Sequence, residues 1–171
     1  MERRPLSWGW ERVLDRWYFY SKIKKLGTIL ESQYEKGVKH GFGKIELPCE
    51  SAYEGMFKND LPDGPGTYST LEYDFQGHFI EGKMNGEECV CNWKNGRKYE
   101  GSYVNDKKEG YGEFEWPNGK IYKGGWINNR MNGKGKIIYP DGFEKQGIWS
   151  NGVKVKSQNK KAFTVSDEDS D

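Results

Sequence analysis

An internal repeat of about 23 residues constrains this chain more than any other feature of its sequence. Residues 98–119 read KYEGSYVNDKKEGYGEFEWPNG, and residues 121–142 read IYKGGWINNRMNGKGKIIYPDG. A shift of 23 residues places aromatic residues on aromatic residues, glycines on glycines and an Asn-Gly turn on an Asp-Gly turn. Because repeats decide the architecture before any single motif does, we predict a fold built from one recurring unit.

The same phase continues in both directions along the chain. The leading glycines of successive copies are Gly55, Gly77, Gly101, Gly124 and Gly147, spaced by 22, 24, 23 and 23 residues. An earlier copy begins at Leu30, where Leu30 and Ser32 replace the usual aromatic residue and glycine, and a truncated copy begins at Lys145. In the third copy, Glu88 stands where the second glycine of a Gly-x-Gly pair is expected. Five full copies and one partial copy therefore cover residues 30–154.

The repeat unit resembles the MORN repeat, the membrane occupation and recognition nexus module. YEGSYVNDKKEGYGEFEWPNG and YKGGWINNRMNGKGKIIYPDG both show its order, which is aromatic-x-Gly-x-aromatic and, seven residues further on, Gly-x-Gly. The resemblance covers about three quarters of the chain. It implies a role as a peripheral membrane adaptor or as a scaffold in cytoskeletal, ciliary or junctional assemblies.

Each copy has the pattern of an amphipathic β-hairpin. Tyr99, Gly101 and Tyr103 alternate with polar residues, which is typical of a strand with one apolar face. The segment GYGEFEW alternates in the same way, and Asn-Gly or Asp-Gly dipeptides mark tight turns. Successive hairpins predict an all-β fold, an elongated single-layer antiparallel β-meander of about eleven strands that spans on the order of 50 Å.

Glycines recur on the aromatic face of these predicted strands. Glycine usually weakens a strand, so its repeated placement indicates that the rings need room to lie across the backbone. The sequence thus predicts a shallow groove with a glycine floor and aromatic walls. The rings predicted to bind a partner there are Tyr99, Tyr103, Phe114, Trp116, Tyr122, Trp126 and Tyr139. In the competing interpretation these rings only stack on one another; we expect stacking to dominate at Tyr99 and Tyr122. Binding is expected to dominate at Trp116 and Trp126.

Residues 1–29 differ from the repeats in composition and periodicity. Trp10, Leu14 and Trp17 follow helical spacing, which predicts a short N-terminal helix. The alternative is that part of residues 17–25 forms a degenerate strand, because LGTIL aligns with the NGKIY of a later copy. Three segments are predicted: an aromatic and basic N-terminal segment 1–29, a MORN-repeat domain 30–154 and a disordered charged tail 155–171.

The composition and motifs favour a protein without catalytic activity. Only 34% of residues are hydrophobic and the mean hydropathy is −1.00, which suits a thin sheet of rings and glycines better than a thick core. Each Gly-x-Gly lies in phase with the repeat and lacks the following helix that a phosphate loop needs. The odd cysteine count, Cys49, Cys89 and Cys91, favours free thiols over a zinc site. We therefore predict no catalytic residue, no cofactor and no metal.

Charge separates the two functional classes that the resemblance implies. Residues 30–144 carry 15 Lys and Arg against 19 Asp and Glu, a net charge of −4, whereas residues 1–29 carry 7 against 3. An acidic repeat body is poorly suited to anionic lipid or nucleic acid. Any membrane contact is therefore expected through the N-terminal segment, which in the competing interpretation caps an open sheet edge. The residues expected at such a contact are Trp8, Trp10, Trp17, Arg12, Arg16, Lys24 and Lys25.

The sequence thus predicts a non-catalytic scaffold that binds a helix or extended peptide of a partner protein and no nucleic acid. The resemblance implies a cytoplasmic location, associated with the cytoskeleton or with a cilium and its axoneme, inside a larger assembly. The alternative is a peripheral membrane adaptor that contacts anionic phospholipids through its basic, aromatic N-terminus. Family members also pair through terminal repeats, so a homodimer through the truncated sixth copy is a further expectation.

Overall fold

Twelve β-strands make up the part of the chain that the structure, a computed structural model, describes: residues 28–47 and 50–157. The strands are β1 (Thr28–Glu35), β2 (Val38–Leu47), β3 (Ser51–Lys58), β4 (Leu61–Ser69), β5 (Tyr73–Ile80), β6 (Lys83–Trp93), β7 (Lys98–Val104), β8 (Lys107–Glu115), β9 (Ile121–Ile127), β10 (Arg130–Ile138), β11 (Glu144–Ser150) and β12 (Val153–Ser157).

The strands lie in one open sheet, in the order in which they occur along the chain. Every neighbouring pair is antiparallel, so the predicted all-β, single-layer antiparallel meander is confirmed. The sixth copy contributes both strands of a hairpin, β11 and β12, which gives twelve strands in place of the predicted eleven. The predicted N-terminal helix lies outside the described residues.

A row of glycines crosses the sheet at right angles to the strands. It joins Gly43, Gly55, Gly66 and Gly77 through direct pairing, and then Gly101, Gly112, Gly124, Gly135 and Gly147. Between these two stretches Cys89 pairs with Gly101 and holds the place of a glycine. The row exists because the repeat returns each Gly to the same register position.

Tyrosine rings lie flat over this glycine row. A β-carbon built at Gly112 would lie 2.6 Å from Cε2 of Tyr99, which is closer than a real side chain tolerates. The Tyr99 hydroxyl then donates a hydrogen bond to the Ser102 carbonyl at 3.0 Å. Tyr53 and Tyr122 repeat the arrangement in their own copies, with hydroxyl-to-carbonyl distances of 3.0 and 3.1 Å. The glycines therefore leave the space that the tyrosine rings occupy.

Nine rings form an unbroken zigzag along the sheet, which we call the ring ladder. Neighbouring centroids are 5.1 to 5.4 Å apart, and the ring planes meet at 73° to 88°. Such edge-to-face contacts are the favoured geometry of aromatic pairs. In order, the ladder consists of Phe57, Tyr53, Phe79, Phe75, Tyr103, Tyr99, Trp126, Tyr122 and Trp149.

Two register positions differ from those predicted. In copy three the residue at the place of the second glycine is Cys89, which pairs with Gly101; the assignment of Glu88 to that place is wrong. One extra residue enters the bulge between Gly86 and Cys89, and counting along the sequence cannot locate it. In copy one Ile29 pairs with Ile45 as Tyr99 pairs with Phe114, and the register shifts after it. Ile29, not Leu30, therefore holds the first aromatic place of that copy.

The hairpin turns stack on one another and fix the spacing of the copies. The Asp106 amide donates to the Met84 carbonyl at 3.0 Å, and the Asp106 carboxylate accepts from the Met84 amide at 2.8 Å. Asn129 makes the same pair of hydrogen bonds with Lys108 of the preceding copy, at 3.1 and 2.8 Å. Because each turn binds the strand start of the copy before it, all the hairpins point the same way.

Candidate functional site

Most of the rings predicted to bind a partner are buried within the sheet itself. Tyr99 and Tyr122 are fully buried, and Tyr103 and Trp126 are 4% and 6% exposed. The Trp126 indole nitrogen donates a hydrogen bond to the Gly112 carbonyl at 3.1 Å. These four rings are members of the ring ladder, and Phe114 is buried beside them. They are thus positioned first of all to hold neighbouring copies together.

Trp116 and Tyr139, the remaining two, are half-buried and lie at the opposite end of the hairpins from the stacked turns. Trp93 holds the equivalent place of copy three, and we call Trp93, Trp116 and Tyr139 the edge rings. Trp93 was not among the predicted binding rings, although the string WKNG at 93 matches WPNG at 116. Part of each edge ring stays open to solvent.

The turns between copies hold the edge rings rigidly. The Trp116 amide donates to the Lys120 carbonyl, and the Trp116 carbonyl accepts from the Gly119 amide, both at 2.9 Å. The same two hydrogen bonds recur at Trp93 and at Tyr139. Gly119 has a φ of 77°, a conformation that glycine adopts without strain. The recurring Asn-Gly and Asp-Gly dipeptides thus position each edge ring through its own main chain.

Cations lie beside two of the edge rings. The Lys120 ammonium is 4.1 Å from the centroid of Trp116, and the Arg97 guanidinium is 5.4 Å from the centroid of Trp93. Trp116 also packs against Phe114, with centroids 4.8 Å apart. Phe143, which sequence analysis missed, is 61% exposed and 5.9 Å from Tyr139. This edge therefore combines aromatic surface with positive charge.

One lysine is enclosed by rings in the interior of the aromatic face. The Lys108 ammonium lies 4.6 to 5.5 Å from the centroids of Trp93, Tyr99, Phe114 and Trp126. The residue is 3% exposed, and desolvation lowers the pKa of Lys108 to about 8. Contacts between a cation and ring faces stabilise the charged form and offset part of that desolvation.

Replacing Lys108 by methionine is expected to raise stability at pH 7, by up to about 3 kcal/mol, and to remove a pH dependence. Methionine fits because Met84 and Met131 hold the equivalent places of copies three and five. The lysine pKa is about 8 in the folded chain and about 10.4 in the unfolded chain. Between those two pKa values the unfolded chain binds more protons than the folded chain does. The free energy of unfolding of the wild type therefore rises, relative to that of the variant, as pH rises.

Urea unfolding of both proteins between pH 7 and pH 10 measures this difference. The control is Lys107→Met, because Lys107 is the neighbouring lysine and its side chain is exposed. Identical pH profiles for the wild type and Lys108→Met would contradict a desolvated ammonium at this place.

The face opposite the rings carries shallow depressions above the glycine row. One depression of 790 Å³ is lined in part by Phe42, Gly55, Met56 and His78, and another of 320 Å³ lies at Tyr111 and Gly135. Cross-strand ion pairs flank them, among them Lys44 with Glu54 at 2.8 Å and Lys123 with Glu113 at 2.6 Å. The groove was predicted on the ring face, whereas these depressions lie on the other side of the sheet.

The cysteines that the structure describes are buried in the aromatic face. Cys89 and Cys91 are free thiols, and burial raises the pKa of Cys91 to about 12. Burial also raises the pKa of Cys89, whose sulfur donates to the Asn85 carbonyl at 3.1 Å. In residues 28–47 and 50–157 no three His, Cys, Asp or Glu side chains group as a metal ion would require. Cys49 and the seven predicted N-terminal contact residues lie outside the described residues.

Within the described part of the chain there is no helix long and apolar enough to cross a membrane.

Comparison with known proteins adds a family match and several relatives. The MORN repeat model matches residues 31–48, 53–70, 75–87, 99–121 and 122–143, together more than half of the chain. The third match ends inside the bulge of copy three, where the extra residue enters. Alsin from Mus musculus and alsin from Homo sapiens are each 30% identical over 103 residues, which are 57% of this chain. The matched part is 6% of the length of alsin, so the chain spans only a small part of these relatives.

Proposed function

Because this chain belongs to the MORN repeat family, we propose that it is a non-catalytic scaffold that binds a segment of a partner protein along its edge rings. The observation that carries the proposal is the row formed by Trp93, Trp116 and Tyr139, half-buried side chains at matching places of successive copies. Interface hot spots are enriched in tryptophan, tyrosine and arginine, and this edge presents these residue types on a rigid main chain.

The spacing of the edge rings favours a helical partner segment. Neighbouring edge rings are two strands apart, about 10 Å when strands lie about 4.8 Å from each other. A helix rises about 1.5 Å per residue, so two heptad-spaced side chains are also about 10 Å apart. An amphipathic helix with apolar residues at every seventh position thus matches the row. Arg97 and Lys120 beside the rings favour carboxylates next to those apolar residues.

The buried members of the predicted binding set take an indirect part in this function. Tyr99, Tyr103, Tyr122 and Trp126 stack within the ring ladder, and Phe114 supports Trp116 from below. They keep the edge rings at a fixed spacing, as a rigid binding row requires. We propose direct contact for Trp116 and Tyr139.

The cellular location of the scaffold and its pairing with a second chain are also proposals. A cytoplasmic place in a cytoskeletal, ciliary or axonemal assembly is supported by the family resemblance. Pairing of two chains through the terminal hairpin of β11 and β12 is supported by its outer strand, because β12 pairs with β11 alone among the described strands.

Replacing Trp116 by alanine is expected to weaken partner binding by at least about tenfold while the thermal melt stays near that of the wild type. Loss of a hot-spot tryptophan costs about 2 kcal/mol of affinity. The ring is half-buried at the end of β8 and is not a member of the ring ladder, so its loss leaves the ring ladder intact. The partner is first captured with the tagged full chain and identified by mass spectrometry, and its affinity for each variant is then measured by calorimetry.

Two control variants sharpen this experiment. Tyr111→Ala removes an exposed ring from the face that carries the depressions, and it should leave the affinity unchanged. Trp126→Ala removes a ladder ring and should lower the melting temperature. If Tyr111→Ala weakens binding and Trp116→Ala does not, the partner lies on the other face and the proposal fails.

A further inference from the structure

The two ends of the ring ladder differ in how well they are covered. At the C-terminal end Trp149 is 2% exposed, and the Lys154 ammonium lies 5.5 Å from its centroid. At the N-terminal end Ile29 is 49% exposed and Tyr34 is 54% exposed. The residues at the places of Ile29 and Tyr34 in copies two to five are at most 6% exposed. On the ring face, the first copy therefore leaves its apolar residues far more exposed than copies two to five do.

The geometry of the ladder explains what is missing there. Inside the ladder, a ring at the second place of a copy touches the first ring of its own copy and the first ring of the copy before it, whereas Phe57 and Trp149 at the two ends each touch one ladder ring. Tyr103, for example, is 5.3 Å from Tyr99 and 5.3 Å from Phe75 of the preceding copy. Tyr34 holds the same place in copy one, opposite Lys39 as Tyr103 lies opposite Lys108. Among the described residues no copy precedes it.

We propose that residues 1–27 of this same chain cover the open end, with an aromatic side chain of residues 17–20 packed against Tyr34. The run Trp17, Tyr18, Phe19 and Tyr20 ends eight residues before β1 begins at Thr28. Eight extended residues span up to about 26 Å, and Tyr34 lies about 20 Å along β1. The segment thus starts at the open edge of β1 and reaches the uncovered ring.

Charge complements this placement. The outermost strand β1 carries Glu31 and Glu35 and no lysine or arginine. Residues 1–27 carry seven lysines and arginines against three acidic residues. Glu35 already lies 3.7 Å from Lys36 and from His40, so the charge complement of the basic segment rests mainly on Glu31. Covering the end also removes an open strand edge, which is a common source of aggregation.

Limited trypsin digestion of the full-length chain tests the proposal, because Arg12, Arg16 and Lys22 offer cleavage sites within the segment. We expect Tyr34→Ser to raise the cleavage rate at these sites by at least about fivefold, since the covering contact is lost. Tyr111→Ser is the matched control, because Tyr111 is 62% exposed on the other face. It should cleave as the wild type does. Tyr34→Phe keeps the ring and should restore protection.

Three results would overturn the proposal. Equal cleavage of the segment in the wild type, Tyr34→Ser and Tyr111→Ser would show that it is not held against Tyr34. A matching rise in cleavage after Lys98, inside β7, would show that Tyr34→Ser loosens the whole sheet. Sedimentation of a wild-type dimer that Tyr34→Ser dissociates, with unchanged cleavage of the segment, would assign the open end to a second copy. The edge rings lie elsewhere on the sheet, so partner binding through Trp116 is judged separately.

Discussion

Replacing Tyr99 by alanine is expected to lower the free energy of unfolding by about 3 to 5 kcal/mol. The ring is fully buried and lies between Tyr103 and Trp126 in the ring ladder, at 5.3 and 5.4 Å. Its removal leaves a cavity over the glycine row and breaks two edge-to-face contacts at once. It also removes the hydrogen bond to the Ser102 carbonyl. Urea unfolding followed by circular dichroism measures the loss.

Two further variants separate the parts of this effect. Tyr99→Phe keeps the ring and removes only the hydroxyl, so it should cost about 1 kcal/mol. Tyr111→Ala removes a tyrosine that is 62% exposed and should change stability by less than about 0.5 kcal/mol. A loss at Tyr99→Ala no larger than that at Tyr111→Ala would contradict a ladder that holds the sheet together.

Replacing Gly112 by cysteine is expected to cost about 3 kcal/mol in the wild type and clearly less in the Tyr99→Phe background. A β-carbon at Gly112 would come closest to the Tyr99 hydroxyl oxygen, which phenylalanine lacks. Copy three already contains the alternative arrangement, with Phe75 in place of the tyrosine and Cys89 in place of the glycine. The thiol there bonds a main-chain carbonyl, as the tyrosine hydroxyl does in copies two, four and five.

A double-mutant cycle tests this substitution pattern. The cost of Gly112→Cys with Tyr99→Phe should fall below the sum of the single costs by at least about 1 kcal/mol. The control cycle pairs Gly112→Cys with Tyr53→Phe, a remote tyrosine of copy two, and its costs should add. If the losses of unfolding free energy are additive in both cycles, the Tyr99 hydroxyl and Gly112 do not depend on each other.

Apart from β12, the sequence was sufficient to predict the strands, their order and the residues that share a face. Alternation determines the face of a side chain, and the recurrence of Gly55, Gly77 and Gly101 every 22 to 24 residues sets the register of the glycine row. The positions of the one-residue insertions near Leu30 and Glu88 were not predicted. Glycine spacing shows that a residue is added but not where it enters the strand. Backbone pairing decides that position.

The candidate site was harder to predict than the fold. Trp116 and Trp126 are both predicted to lie on the aromatic face. Trp116 is half-buried at the end of β8, whereas Trp126 is 6% exposed within the ring ladder. The pattern places both on the aromatic face, but exposure depends on how closely rings from neighbouring copies approach. Lys108 likewise looks like an ordinary charged strand residue in the sequence. Only the packing of four rings around it shows that it is buried.

The zigzag of the ring ladder also determines how such a domain can change in length. Each second-place ring inside the ladder, Phe79, Tyr103 or Trp126, contacts rings of two copies, so the contact between copies depends on both of them. An insertion or deletion at any point of the repeat separates a ring from its neighbour in the next copy. The contact is restored only when the sequence after that point resumes at the same position of the repeat. Inserting or deleting a whole unit of 22 to 24 residues therefore restores every ring contact at almost any cut point. Inserting or deleting only part of a unit leaves a ring without its neighbour. Such a domain is therefore expected to lengthen by duplication of whole copies.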